Sequence, residues 1–158
     1  MSKFNSIVPV PLGEIRRLDG KLGSAMKPGT LVTAVGAFGG GSSTHIQPDY
    51  PNAIFTANDV GNTSGVLIVM NQDDLVTADI SDDLPKDSHA RAHVLKSGEE
   101  VTVIMSAAAV IAAGDMLYPA AGGKVAKVDD SQTPMFLAIE TCAADSTGDD
   151  LRILARVL

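Results

Sequence analysis

The chain has 158 residues, 45% apolar and only 4% aromatic with no Trp, enough for one domain whose core rests on Val, Ile, Leu, Ala and Met. Its net charge is −7 and its 12 basic residues are scattered, never more than two together (Arg16 and Arg17). Displacing counterions from phosphates needs clustered Lys and Arg, so DNA and RNA are excluded as direct partners.

Residues 1–13 read as an extended arm. Pro9 and Pro11 alternate with Val8, Val10 and Leu12, and prolines at alternate positions favour a polyproline-like path and block full ladder pairing. An ordinary edge strand also fits. Residues 13–23 read as polar and turn-like. Lys27-Pro28-Gly29 is a turn signal, and the β-branched residues after it read as a strand over 30–35.

Loops follow over 36–43 (GAFGGGSS) and 45–51, which holds Pro48 and Pro51. Residues 54–57 read as a short strand and 59–64 as a turn. The continuous apolar run 65–70 (GVLIVM) has the character of a strand buried on both faces. A further strand is expected over 75–80, then a charged loop over 81–88.

The β signal sharpens beyond His89. Strands are expected over 90–95 and over 101–105, where Val101, Val103 and Met105 share one face. Residues 107–113 are Ala-rich and read as half a helix. Residues 116–118 read as a strand, and Ala121-Gly122-Gly123-Lys124 as a hairpin of the Gly-Gly type. Strands over 125–128, 136–141 and 151–158 complete the chain, the last with Leu151, Ile153, Ala155 and Val157 on one face and Arg152 and Arg156 on the other.

Turn signals recur about every 8–12 residues, the spacing of sandwiches and barrels, and no amphipathic helix exceeds two turns. The expected class is all-β: a small β-barrel or β-tulip-like domain, with an arm at 1–13, a body at 14–158 and a loop-rich insertion at 36–93. Residues 27–32 and 112–117 share the order small-or-Pro, Gly, polar, apolar, apolar. This echo marks either two similar hairpin units or chance.

The residues were also searched for chemistry. His89 and His93 are four apart, but residue 90 is Ala where a metalloprotease helix needs Glu. On a strand the pair sits about 13 Å apart, too far to share a metal, so both read as surface histidines. His45 stands alone.

The aspartate pairs Asp73-Asp74, Asp82-Asp83, Asp129-Asp130 and Asp149-Asp150 each fall beside a turn. Without calcium-loop spacing they read as turn caps. Residues 39–44 (GGGSST) lack the Lys of a phosphate loop, and no G-x-S-x-G elbow exists. The one cysteine, Cys142, excludes an intrachain disulfide and reads as a small buried apolar side chain. Asn62-Thr63-Ser64 is a glycosylation sequon, of little weight without a secretory signal.

No catalytic residue, metal or cofactor is expected. Nor is a membrane span: the longest apolar run, 106–113, is too short. The first residues lack a signal-peptide core, so the chain is expected to be made in the cytoplasm.

Several motifs in order carry a resemblance. Lys96-Ser97-Gly98-Glu99-Glu100-Val101-Thr102-Val103 leads to Ile111-Ala112-Ala113-Gly114-Asp115-Met116-Leu117. Gly122-Gly123-Lys124-Val125 and Phe136-Leu137-Ala138-Ile139-Glu140 precede Leu151-Arg152-Ile153-Leu154-Ala155-Arg156-Val157. Together with Pro11-Leu12-Gly13-Glu14-Ile15-Arg16-Arg17-Leu18 and Lys27-Pro28-Gly29-Thr30-Leu31-Val32, this order resembles the capsid decoration (cement) proteins of tailed phages. It covers 9–35 and 94–158.

The resemblance implies a homo-oligomer, a trimer rather than a dimer, on the exterior of the virion, bridging major capsid subunits and stabilising the head. The arm residues Phe4, Ile7, Val8, Pro9, Val10, Pro11 and Leu12 are the expected capsid-binding site. A fibre base, a tail part or a small-ligand-binding β-barrel domain are the alternatives.

Overall fold

The computed structural model describes residues 17–35, 54–69, 83–106, 110–143 and 151–158. They form ten strands: β1 (Arg17–Leu22), β2 (Leu31–Val35), β3 (Ile54–Ala57), β4 (Leu67–Val69), β5 (His89–Val94), β6 (Glu100–Ile104), β7 (Met116–Ala120), β8 (Lys124–Lys127), β9 (Phe136–Ala138) and β10 (Arg152–Val157). A single 3₁₀ turn, Ala121–Gly123, joins β7 to β8, and no α-helix occurs among the described residues.

The first five strands close into a barrel in the order β1-β3-β2-β4-β5, with β5 returning to β1. The last five form a sheet in the order β6-β10-β9-β7-β8, and a parallel bridge from Met105 to Val125 draws its two edges together. The all-β class and the small barrel expected from turn spacing are both present.

The two halves share one topology. Counting β6 as the counterpart of β1, every contact recurs with its direction: β1–β3 is parallel like Met105–Val125, while β1–β5, β2–β3, β2–β4 and β4–β5 are antiparallel like β6–β10, β7–β8, β7–β9 and β9–β10. Register recurs too: Leu67 pairs with Val94 as Phe136 pairs with Val157. The isolated bridge Met26–Leu84 likewise has its counterpart in Ile111–Cys142. The chain is thus two tandem copies of one five-stranded unit, 17–94 and 100–157.

One turn, used four times, builds both units. Residues 27–30, 85–88, 96–99 and 112–115 each close with the fourth N–H donating to the first carbonyl, at 3.2, 3.2, 3.1 and 3.0 Å. The third residue has positive φ: Gly29 at 92°, Asp87 at 62°, Gly98 at 88° and Gly114 at 91°. That is the conformation in which Gly is unstrained and Asp tolerated.

The third N–H and the fourth carbonyl of each turn then clasp one residue on the end of a neighbouring strand: Val69, Leu22, Val157 and Ala138 respectively. Side chains at the fourth position lock the turn. Thr30 and Ser88 donate hydroxyls to the carbonyls of Lys27 and Pro85. Glu99 and Asp115 instead accept from the N–H groups of Lys96 and Ala112. Pro85 has no N–H to give, so only a hydroxyl serves there. The sequence echo between 27–32 and 112–117 marks equivalent turns of the two units.

The core follows from the composition. Phe55 lies with Leu22, Val32, Val69 and Leu84 inside the first unit. A larger cluster runs through both, joining Leu31, Val66 and Ile68 to Val101, Val103, Met105, Ile111, Leu117, Phe136 and Ile153. Backbone bonds cross the same seam: Gly61 N–H to Pro119 O at 2.8 Å and Ile104 N–H to Gly29 O at 3.3 Å. Arg152 Nη2 also donates to Pro28 O at 3.3 Å.

Three segments differ from the sequence reading or fall outside it. Residues 17–22, read as turn-like, are β1. Asp19 and Lys21 take outward positions of an alternating strand, tied to β5 by Asp19 and Arg91 at 3.0 Å. Residues 110–113, read as part of a half-helix, instead form a bridge and a turn, because Ile111 N–H and C=O pair with Cys142. The segment 36–93, read as loop-rich, supplies β3, β4 and β5 of the closed ring. The arm at 1–13, the loops at 36–43 and 45–51 and the strand expected over 75–80 lie outside the described residues.

Candidate functional site

Where the units meet, the short linker from β5 to β6 carries an ion-pair geometry inside the protein. His93 ends up wholly buried, although it read as a surface histidine: it lies on the face of β5 opposite Ala90 and Ala92, level with Ile68 of β4, which belongs to the core cluster shared with the second unit. Its Nε2 lies 2.8 Å from Oε2 of Glu99, and neither side chain is exposed to solvent. The same carboxylate oxygen accepts the Lys96 N–H at 3.0 Å.

His93 Nδ1 makes no hydrogen bond. A proton there would be left bare, which assigns the ring proton to Nε2 donating to Glu99. The pair couples the last strand of one unit to the turn that starts the next. Its enclosure leaves no face of the imidazole for a substrate.

His89, by contrast, is exposed and lies 3.8 Å from Asp19. The two histidines share no metal geometry, and no group of three His, Cys, Asp or Glu side chains able to hold a metal occurs among the described residues. His45 lies outside them.

Of the paired aspartates, Asp129 caps its turn, and Asp73, Asp74, Asp82, Asp149 and Asp150 lie outside the described residues. Asp129 Oδ1 accepts the Ser131 N–H and hydroxyl, and the Asp129 N–H donates to Gln132 Oε1; a side-chain hydrogen bond from Gln132, then those from Ser131, hold the Asp129 carboxyl below its usual range. Cys142 is partly rather than fully buried. Burial, then the charge of Glu140, pushes its thiol above the ordinary value of 9.0. It is a poor nucleophile there.

A groove of about 400 Å³ lies along the seam. Its walls are equivalent parts of the two units: Val66, Leu67, Val94 and Leu95 on one side, Met135, Val157 and Leu158 on the other, with Gly65 facing Pro134. No charged side chain lines it. A second cleft of about 300 Å³, lined by Ser24, Thr30, Asp83, Lys27 and Lys124, is mixed in charge.

Sequence reasoning missed Glu99 and the groove. Glu99 had a signal, since the fourth position of each turn is polar, but the burial that makes it structural comes from the partner unit. The expected arm residues, Phe4, Ile7, Val8, Pro9, Val10, Pro11 and Leu12, lie outside the described residues.

No family model and no curated protein matches the chain. Among solved structures, it is similar to the head fiber gp8.5 N base of bacteriophage phi29, with a TM-score of 0.55 at 14% identity over 92% of this chain and 95% of that one. The likeness is one of fold and spans both units. No helix among the described residues is long and apolar enough to cross a membrane.

Proposed function

We propose that this protein is a structural component of a phage virion that binds the outside of the capsid and stabilises the head by bridging major capsid subunits. The observation that carries this reading is a fold shared along nearly the whole length of a phage head-fibre base. The decoration-protein motif order points the same way. The described side chains support adhesion over chemistry: the buried histidine is committed to Glu99, and the cysteine is held as a thiol.

In this reading the body is a rigid two-unit block, and Phe4, Ile7, Val8, Val10 and Leu12 supply apolar anchors on the arm. Repeated copies, as a trimer, turn weak contacts into avid ones. The test is deletion of residues 1–12. The truncated protein should keep its melting temperature and lose co-sedimentation with purified heads; unchanged affinity for heads would refute the arm assignment.

A second reading, a fibre base, is favoured by the identity of the structural neighbour. Electron cryo-microscopy of particles separates the two: a decoration protein forms a regular coat, a fibre base carries a projecting shaft. A ligand-binding barrel would instead retain a small molecule through purification.

A further inference from the structure

The two units carry the same row of positions on the outer side of their sheets, and only one of the rows is covered. In the first unit Leu31, Ile68 and His93 stand in register across β2, β4 and β5. All three are fully buried, Leu31 and Ile68 in the core cluster shared with the second unit and His93 on Glu99. In the second unit the counterparts are Met116, Leu137 and Arg156, in register across β7, β9 and β10. They alternate with the core residues Leu117, Phe136, Ala138, Ala155 and Val157, so they point away from that unit's interior. Met116 is 44% exposed, Leu137 is half-buried and Arg156 is exposed.

We infer that this outer face of β7, β9 and β10 is where copies of this chain meet, each face packing on the same face of another copy. The inference rests on the preceding reading in taking repeated copies as the working state, and it names the surface that joins them.

Three observations point to another copy as the occupant. The first is the matching row itself, which shows what covers such a face: a unit of this same kind buries Leu31 and Ile68.

The second is that the contact within the chain cannot recur between chains. In the first unit β1 and β3 pair at two places, Lys21 with Ile54 and Leu22 with Phe55. In the second unit Met105 pairs with Val125 as Leu22 does with Phe55, but Ile104, the counterpart of Lys21, gives its N–H to Gly29 of the first unit. The first unit therefore seats in an opening of the second that it has closed in itself. No described part of a further copy offers a free opening of this kind, so the remaining face has its own like to meet.

The third is composition. Tyr118 and Leu154 lie on the same side as the row, both half-buried, between the buried pairs Leu117 and Pro119 and Ile153 and Ala155. Tyr, Met and Arg are the residues enriched at the centres of interfaces, where Lys, Glu and Asp are depleted. The row's one cation, Arg156, is bonded to Glu100 at 2.7 Å. A chain of net charge −7 repels its copies at long range, but this face sets no net charge against its like. In the trimer proposed above, each copy's β7 side meets the next copy's β10 side about the axis, which sets Met116 near the next copy's Arg156.

The test uses the full chain without phage heads. Sedimentation velocity of the parent should show the trimer. Met116→Lys sets a second cation beside the neighbour's Arg156 and should raise the dissociation constant at least tenfold with an unchanged circular dichroism spectrum. Ile54→Lys, at an apolar residue of β3 that is 45% exposed, should assemble like the parent. A parent that is monomeric throughout, a Met116→Lys variant that assembles like the parent, or an Ile54→Lys variant that dissociates as much overturns the inference.

Leu137→Cys in a Cys142→Ala background is a milder change on the middle strand of the face. Mild oxidation should link its copies at least tenfold faster than those of Ile54→Cys in the same background, and equal rates overturn the inference. A dimer in place of the trimer keeps the face as the contact and corrects only the number of copies. A Met116→Lys variant that stays assembled but no longer co-sediments with heads makes the face a capsid contact and overturns the inference, whereas failure of the test on residues 1–12 bears on the preceding reading alone.

Discussion

Replacing Glu99 by Ala removes the carboxylate that ties the two units together. Oε2 of Glu99 meets His93 Nε2 at 2.8 Å and the Lys96 N–H at 3.0 Å, with both side chains of the pair fully enclosed. A hydrogen bond to a charged group contributes about 1.5–3 kcal/mol, so losing two of them costs about 3–5 kcal/mol. Two such bonds at one oxygen place Glu99→Ala in that range. In a domain of this size the melting temperature should fall by roughly 8–16 °C.

Urea denaturation followed by circular dichroism measures the difference. Glu99→Gln keeps an oxygen acceptor in place and should cost roughly half as much. A double-mutant cycle with His93→Ala should give a coupling above about 1 kcal/mol. A Glu99→Ala variant within about 0.5 kcal/mol of the parent, the range of ordinary surface changes, or a cycle that is simply additive, would refute the reasoning.

Other predictions concern single positions. A Cβ on Gly123, at φ 71°, would overlap the Leu31 carbonyl across the seam, whereas one on Gly122, at φ 72°, meets nothing within 4 Å. Gly123→Ala should cost about 2–4 kcal/mol and Gly122→Ala only about 1–2 in equilibrium unfolding, so equal costs would contradict the packing of this hairpin tip against the first unit.

The Cys142 thiol, raised by burial and by Glu140, should be alkylated by iodoacetamide with a pH–rate inflection above 9.0. Glu140→Gln should move that inflection part of the way down, and an inflection at or below 9.0 would count against the assignment. The Asp115 carboxyl is held below its ordinary value of 3.8 by Lys127 and by the Ala112 N–H. Its contribution to stability is therefore present above pH 3.8 and lost as pH falls through the lower folded value. The stability gap between the parent and Asp115→Asn should be constant near neutrality and narrow below that pH in acid-unfolding curves.

The internal duplication explains how an aromatic-poor chain builds a body of this size. The interior of the second unit and Leu31, Val66 and Ile68 of the first form one core cluster across the seam. The four turns act as repeated clasps on strand ends, so that the short strands β4 and β9, three residues each, are pinned at Val69 and Ala138.

Much of the second unit was legible in the sequence. Alternation at 101–105 and 151–157, the Gly-Gly hairpin and the glycine turns are local patterns, and period-two burial follows directly from strand geometry. The echo between 27–32 and 112–117 was visible as well, because each turn demands a third residue able to adopt positive φ. β1 was not legible. Its charges look like a loop until Arg91, 72 residues away, pairs with Asp19.

By itself, then, the sequence determined the all-β class and the position of most strands, since these depend on composition and on neighbours a few residues apart. Only the tertiary structure decided that the halves share one topology, that His93 is buried against Glu99, and that a groove lined by both units runs along their seam. Those features arise from pairing between strands distant in the chain. Burial at a seam depends on what arrives from the other side, which no local pattern encodes.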